Sequence, residues 1–162
     1  MNETMTGETT FTVEPNRQEI TMSRVFAAPR DLVFRVATDP EHIAQWWGPS
    51  EYSTTVDKAD VQPGGQWRYV QRDQQGNEFA FHGVYHDVVA PERVVDTFEF
   101  EGMPGHVLLE TTTYETVDGG TRLTTTSVFQ SQADRDGMVA SGMESGARES
   151  WERLAELIEK AA

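Results

Sequence analysis

From residue 19 onward the chain reads as short runs of alternating apolar and polar positions separated by turn residues. Glu19 to Ala27 (EITMSRVFA) sets Ile20, Met22, Arg24 and Phe26 on one face of a strand. Two helical stretches follow. Pro29 opens Arg30 to Thr38 (RDLVFRVAT), with Leu32, Val33, Val36 and Ala37 at helical spacing. Asp39-Pro40 breaks that helix and starts a second, PEHIAQWW, which Gly48-Pro49 stops. Strand patterns then recur at Tyr52 to Ala59, Gln66 to Arg72, Glu78 to Val89, Val94 to Phe100, His106 to Thr116 and Thr121 to Gln130. The intervening QPGG, DQQGN, APER, EGMPG and DGG carry turn chemistry. Trp67 and Tyr69 share a face, and so do Phe79, Phe81, Gly83 and Tyr85, with Ala80, His82, Val84 and His86 opposite them.

The chain closes on a stretch predicted as one long helix, Ser131 to Ala162. Ser131 and Asp134 form a capping pattern, and Met143, Ala147, Trp151, Leu154 and Ile158 make an apolar stripe. Such a helix runs roughly 40 Å, enough to cross a sheet. Its first half carries Gly137, Met138, Gly142 and Gly146 and predicts a looser, more ligand-accessible end, either frayed or thin enough to leave space. Neither a single helix nor a one-layer sheet buries itself. The predicted fold is therefore α+β: a curved seven-stranded antiparallel sheet wrapped around the C-terminal helix, with two short helices after the first strand closing one end. Residues 1–17 are expected to be a disordered or loosely ordered lead, and residues 18–162 a single domain.

Composition narrows the function. With 27 acidic against 13 basic residues, a net charge of −14 argues against nucleic acid and against anionic membrane surfaces. Lys58 and Lys160 are the only lysines, a bias that suits a salt-rich cytoplasm or solubility. No apolar run reaches membrane-spanning length. MNETMTGETT has no basic n-region or apolar h-region, so a cytoplasmic location is expected. The absence of cysteine removes disulfides, thiolate nucleophiles and thiolate metal sites.

Four runs carry a resemblance: SRVFAAPRDLVFRVATDPEHIAQWWGP (Ser23 to Pro49), VQPGGQWRY (Val61 to Tyr69), FHGVYHDVVAPERVVDTFEF (Phe81 to Phe100) and GMESGARESWERLAELI (Gly142 to Ile158). In this order they resemble the SRPBCC or START-like superfamily, and within it the activator of heat-shock-protein-90 ATPase homologue-like, polyketide-cyclase-like group. The resemblance implies a helix-grip (START/birch-pollen-allergen-like) fold with a cavity between sheet and long helix, gated by the short helices. Members of the superfamily bind lipids, sterols, polyketides, hormones and flavonoids, and some are cyclases. The co-chaperone role in the group belongs to proteins with an additional domain.

Candidate chemistry follows. Trp46, Trp47, Trp67, Tyr69, Phe79, Phe81, Tyr85 and Phe98, with Met138 and Gly142 on the closing helix, are candidates to line a cavity; filling a core is the plainer role for any one of them. Polar candidates are Arg24, His82, Asp96 and His106. Arg24 is expected at a sheet end with its charge in water, the alternative being a carboxylate partner inside. His82 and His86 lie about 13 Å apart along a strand and cannot share a metal ion, so no metal site is expected. His82 and His106 remain candidate acids or bases. Asp96 and Glu110 fall among apolar strand residues; solvated acids are the plainer reading and raised-pKa carboxyls in a cavity the sharper one. No nucleophile elbow, phosphate loop or dinucleotide fingerprint is present, and no cofactor is expected. The reading reached is a binding protein for a small hydrophobic or aromatic molecule, monomer or homodimer. The alternatives are a cyclase or hydrolase using the same cavity and a chaperone-linked interaction module.

Overall fold

The computed structural model describes residues 7–162. In chain order the elements are β1 (Thr10–Thr12), β2 (Glu19–Phe26), α1 (Arg30–Thr38), α2 (Pro40–Trp46), β3 (Ser53–Ala59), β4 (Gln66–Arg72), β5 (Glu78–Val89), β6 (Arg93–Phe100), β7 (Val107–Val117), β8 (Gly120–Val128), α3 (Gln132–Ala140) and α4 (Met143–Ala161). All strands join one antiparallel sheet in the order β1-β2-β8-β7-β6-β5-β4-β3. The hairpin meander from β3 to β8 is the one the turn residues predict, and β2 closes on β8 after the two helices.

Two expectations need correction. The sheet has eight strands, not seven. Thr10–Thr12 pairs with Thr21 to Ser23 along the edge of β2, inside the stretch expected to be loose. Three residues are too few for an alternation signal; what orders them is the open backbone edge of β2. The rest of the expected lead, residues 1–6, lies outside the described residues. The closing helix is also two helices. Ser131 caps α3 as predicted, its hydroxyl accepting from the Asp134 N–H at 3.0 Å. The helix then breaks at Gly142, which has φ +84 and begins α4. A left-handed turn of this kind favours glycine, so the break falls there.

Helix α4 lies across the concave face. At 19 residues it is about 28 Å long. Its stripe buries Trp151, Leu154 and Ile158 against Phe26, Phe34 and Leu123. Phe26 meets Trp151 edge-on at 6.1 Å, and Phe34 of α1 meets Tyr114 of β7 at 4.8 Å. Helices α1 and α2 share Asp39 as a joint: its N–H bonds back to Arg35 O, and its carboxylate accepts from Glu41 N–H at 3.0 Å. A second, smaller cluster of Ile20, Leu108 and Phe129 gathers Met138, Val139 and Met143 from the α3–α4 junction.

The packing at Leu154 generates a stability prediction. Leu154 is fully buried, whereas Met103 is 56% exposed. Leu154→Ala should cost about 2–5 kcal/mol in urea unfolding, and Met103→Ala should stay within about 0.5 kcal/mol of the parent. Equal midpoints for the two variants would mean that α4 is not the element that closes the core.

Candidate functional site

Strand register lays the concave face out in rows. One row runs Trp67–Gly83–Phe98–Leu108 and its neighbour runs Tyr69–Phe81–Phe100. Directly beside the first lies a polar row, Tyr85–Asp96–Glu110–Ser127, in which each residue is the cross-strand partner of the next. Beyond it come Thr112 and Thr125, whose hydroxyls are 3.2 Å apart. Neighbouring strands stand about 4.8 Å apart, so the polar row spans about 14 Å of the sheet.

Helix α2 supplies the roof over the aromatic rows. Trp47, just past its end, stacks edge-on against Tyr69 at 5.0 Å and Phe81 at 5.2 Å, and lies 6.5 Å from Phe98. Below it, Trp67 lies 4.5 Å from Tyr69 and donates its indole N–H to Thr97 O at 3.1 Å. That indole rests on Gly83: a Cβ there would stand 2.5 Å from its nitrogen, so no other residue fits without displacing the ring.

The polar row is not sealed by the helix. Asp96, Glu110, Thr112, Thr125 and Ser127 all point to the concave side and remain half-buried. Along the sheet they adjoin Tyr85, Val94 and Met22 of the main core and Ile20 of the smaller cluster. Burial still dominates their electrostatics. It raises the Asp96 carboxyl well above the ordinary range, and the nearby Glu110 charge raises it further. Burial raises Glu110 too. The Tyr85 hydroxyl, buried beside Tyr69, is pushed up to about 12. Burial raises Tyr114 as well, with Asp96 adding to the effect. Two carboxyls side by side in a trough of low polarity hold a proton between them far more readily than either would alone in water. Two surface hollows lie elsewhere, one between Lys58–Asp60 and Gly64–Gln66 and one between Ser50–Ser53 and Arg72–Gln74, and open widely to solvent.

Several residues singled out from the sequence fall outside this trough. His82 lies on the outer face, its Nδ1 3.0 Å from Glu101, which also takes two bonds from Arg68. Strand alternation opposes it to Phe81, and charge partners outside hold it there. His106 sits in the exposed β6–β7 connection against Asp134 of α3. Arg24 does point inward but is not at a wet sheet end. It is 6% exposed, bonds Glu152 of α4 at 2.9 Å and lies over the Phe26 ring. The carboxylate alternative therefore holds, because a helix carboxylate reaches down from the rim. Phe79 pairs with Tyr52 at the far edge of the sheet, 5.9 Å away. Met138 packs into the small cluster, Trp46 packs beside the main core, and Gly142 is an exposed turn residue whose missing Cβ faces open space.

Trp47, Trp67, Tyr69, Phe81, Tyr85, Phe98 and Asp96 do come together, joined by Glu110. Sequence reasoning missed Thr112, Tyr114, Thr125 and Ser127. The signal for Tyr114 was the alternation Leu108, Glu110, Thr112, Tyr114, which fixes Glu110 and Thr112 to the same side as two buried residues. Among the described residues no three His, Asp or Glu side chains gather as metal ligands. No described helix is long and apolar enough to cross a membrane.

Solved structures share this architecture. A protein of Rhodobacter sphaeroides superposes with a TM-score of 0.87 at 21% identity, over 94% of this chain and 99% of its own. Protein Ms6760 of Mycobacterium smegmatis gives 0.83 at 23% identity, over 91% and 94%. A protein of Chromobacterium violaceum gives 0.76 at 27% identity, over 87% and 97%. No curated protein matches the chain. The family described as Activator of Hsp90 ATPase homolog 1-like protein matches residues 27–159, from the end of the first long strand almost to the end of α4. With the helix-grip architecture in place around that span, the chain belongs to the Activator of Hsp90 ATPase homolog 1-like family.

Proposed function

We propose that the chain binds a small molecule with an apolar or aromatic body in the trough between the concave face and α4. One observation carries this reading: aromatic rows under Trp47 lie against a row of polar side chains on the concave face that are only half-buried. Apolar walls with a few convergent polar groups are the ordinary makeup of a small-molecule site. The interaction-module reading calls for a broad exposed apolar patch. Among the described residues the large exposed hydrophobics are Met103, Leu109 and Val128; only Leu109 and Val128 are cross-strand neighbours, too small a patch for a docking surface.

A second reading is an enzyme, cyclase- or hydrolase-like, acting in the same trough. Its support is the Asp96–Glu110 pair, since carboxyls with raised pKa values in a cleft are the groups that transfer protons near neutral pH.

Binding is measured by thermal shift with tryptophan fluorescence. An apolar aromatic ligand at a hundred times its Kd should add about 2.7 kcal/mol, or roughly 5–10 °C in a domain of this size. Trp47→Phe should keep most of that shift while removing much of the fluorescence response. Absence of a shift across fatty acids, sterols, flavonoids and aromatic polyketides would count against the trough as an apolar site.

The unliganded trough makes its own prediction. Below about pH 4 the two carboxyls are protonated in both folded and unfolded chains. As pH rises, the unfolded chain ionises first, so the stability these groups contribute is lost as pH climbs through their raised folded values. Glu101, held down to about 2 chiefly by its bonds from Arg68, acts the opposite way and only below about pH 4. Urea midpoints should therefore decline between about pH 5 and 8, and the decline should flatten in an Asp96→Asn, Glu110→Gln double variant. Parallel declines in the two proteins would show that the pair is not desolvated.

A further inference from the structure

The first strand is an arm that other elements reach out to hold. Its ladder with β2 pairs only Thr10 to Thr12 with Thr21 to Ser23. Both helices of the closing pair add to it. Arg148 of α4 donates to the Thr9 carbonyl, and Arg135 of α3 donates to the Glu14 carbonyl. Arg135 is only 4% exposed and gives its Nε and Nη2 to Asp136, so its bond to the arm is made by a buried guanidinium. Phe11 packs against both apolar clusters and Val13 against the smaller one. All of these contacts lie at or before Glu14. None of them depends on the arm continuing into its own β2.

The connection between arm and β2 is the weak part. Pro15, Asn16, Arg17 and Gln18 are all exposed. Asn16 is the one non-glycine with a positive φ among the described residues, at 62, and it follows a proline whose own φ is fixed. A left-handed residue carries a cost that glycine would avoid. The ion pairs of Arg17 with Glu14 and Glu19 are long and exposed, and hold the turn weakly. At Gln18 the chain is fixed again: its carbonyl accepts from Phe129 N–H, and its side chain donates to the Phe129 carbonyl. The hinge is therefore Pro15 to Arg17. Opened out, Glu14 to Gln18 span about 17 Å, which carries the arm away from its own β2.

We propose that two copies of this chain exchange their arms. Residues 7–14 of each copy then occupy the seat on the other: the outer edge of β2, the Arg135 and Arg148 donors, and the apolar places of Phe11 and Val13. Exchange repeats every arm contact between chains and eases both turns, so it calls for no further surface. It is independent of what the concave face binds. A net charge of −14 on each copy opposes the encounter, so salt and concentration should both favour the pair.

The absence of cysteine makes the test direct. Thr12 and Thr21 are cross-strand partners, so Thr12→Cys with Thr21→Cys sets two thiols within disulfide reach. This chain is refolded from urea under reducing conditions at millimolar concentration and high salt. It is then separated by size exclusion with light scattering, and each fraction is oxidised and run on a denaturing gel without reductant. A closed monomer carries its bond within one chain and runs as a monomer. An exchanged pair carries two bonds between chains and runs as a dimer, which is the result expected, with more dimer at higher salt. Asn16→Gly should weaken the pair about tenfold, because two turns are relieved. Removing Asn16 and Arg17 together keeps the alternation of both strands but denies the arm its turn, and should make the dimer the main species. A chain that refolds only to monomer overturns the proposal, whatever the variants do. A dimer whose chains separate on the gel is an ordinary interface and overturns it too. Equal dimer fractions in the parent and both hinge variants overturn the assignment of the hinge.

Discussion

One helix cannot cover the concave face of an eight-stranded sheet, and how the rest of that face is covered shapes the molecule. Helix α4 spends its large side chains at one end, where Trp151, Leu154 and Ile158 close on Phe26 and Phe34. Toward its start the helix carries only Met143, Gly146 and Ala147 on the inward side, and Gly146 packs on Pro49. The break at Gly142 sends α3 off to seal the far corner over Ile20, Leu108 and Phe129. The outcome is two apolar clusters and a polar row on the concave face that adjoins both, where a compact domain would ordinarily have one continuous core.

The roof over the aromatic rows is fixed by polar contacts. Ser150, deep in α4, accepts from Gly48 N–H at 2.9 Å and donates back to Gly146 O. Arg153 donates to the carbonyls of Gly48 and Gln45, which satisfies the open C-terminal end of α2. Thr54 donates to Trp47 O from the other side at 2.7 Å. Trp47 is therefore held from both flanks, and the ring stack on Tyr69 and Phe81 exists before any ligand arrives. Preorganisation of this kind lowers the entropic cost of binding.

Most of the fold was legible because each element carries its own period and its own stop. The DQQGN and DGG turns set the hairpins, Pro29 and Pro40 the helix starts, and the Trp151, Leu154 and Ile158 stripe the buried face. The site was legible only in part. Aromatic identity singled out Trp47, Trp67, Phe81 and Phe98, which come together on the concave side because large rings on one strand face end up inside. Histidine identity misled, since His82 and His106 are held outside by Glu101 and Asp134, which come from other elements and leave no local trace. Arg24 was misplaced for the same reason: Glu152 lies 128 residues away in sequence. Glu110 shows the limit most clearly. Its neighbours Leu108 and Leu109 look alike in sequence, yet Leu108 is buried and Leu109 is 42% exposed, and only the register decides which side Glu110 joins.

The treatment of charge on the two faces of the sheet is what gives the acid pair its meaning. On the outer face Arg68, Arg72, Arg93 and Arg122 each meet a carboxylate, Arg68 and Arg93 through paired bonds. Solvent would have screened those acids in any case, so such pairs contribute little to stability. Inside, where a counter-ion would matter most, Arg24 is compensated at the rim and Asp96 and Glu110 are left facing each other. An apolar pair at these positions would remove the cost of burial and fill the gap between the clusters. The protein instead carries two acids and two threonines where packing alone would select valine and phenylalanine. Polar groups kept at a cost to stability mark a place where packing is not the only constraint on the sequence.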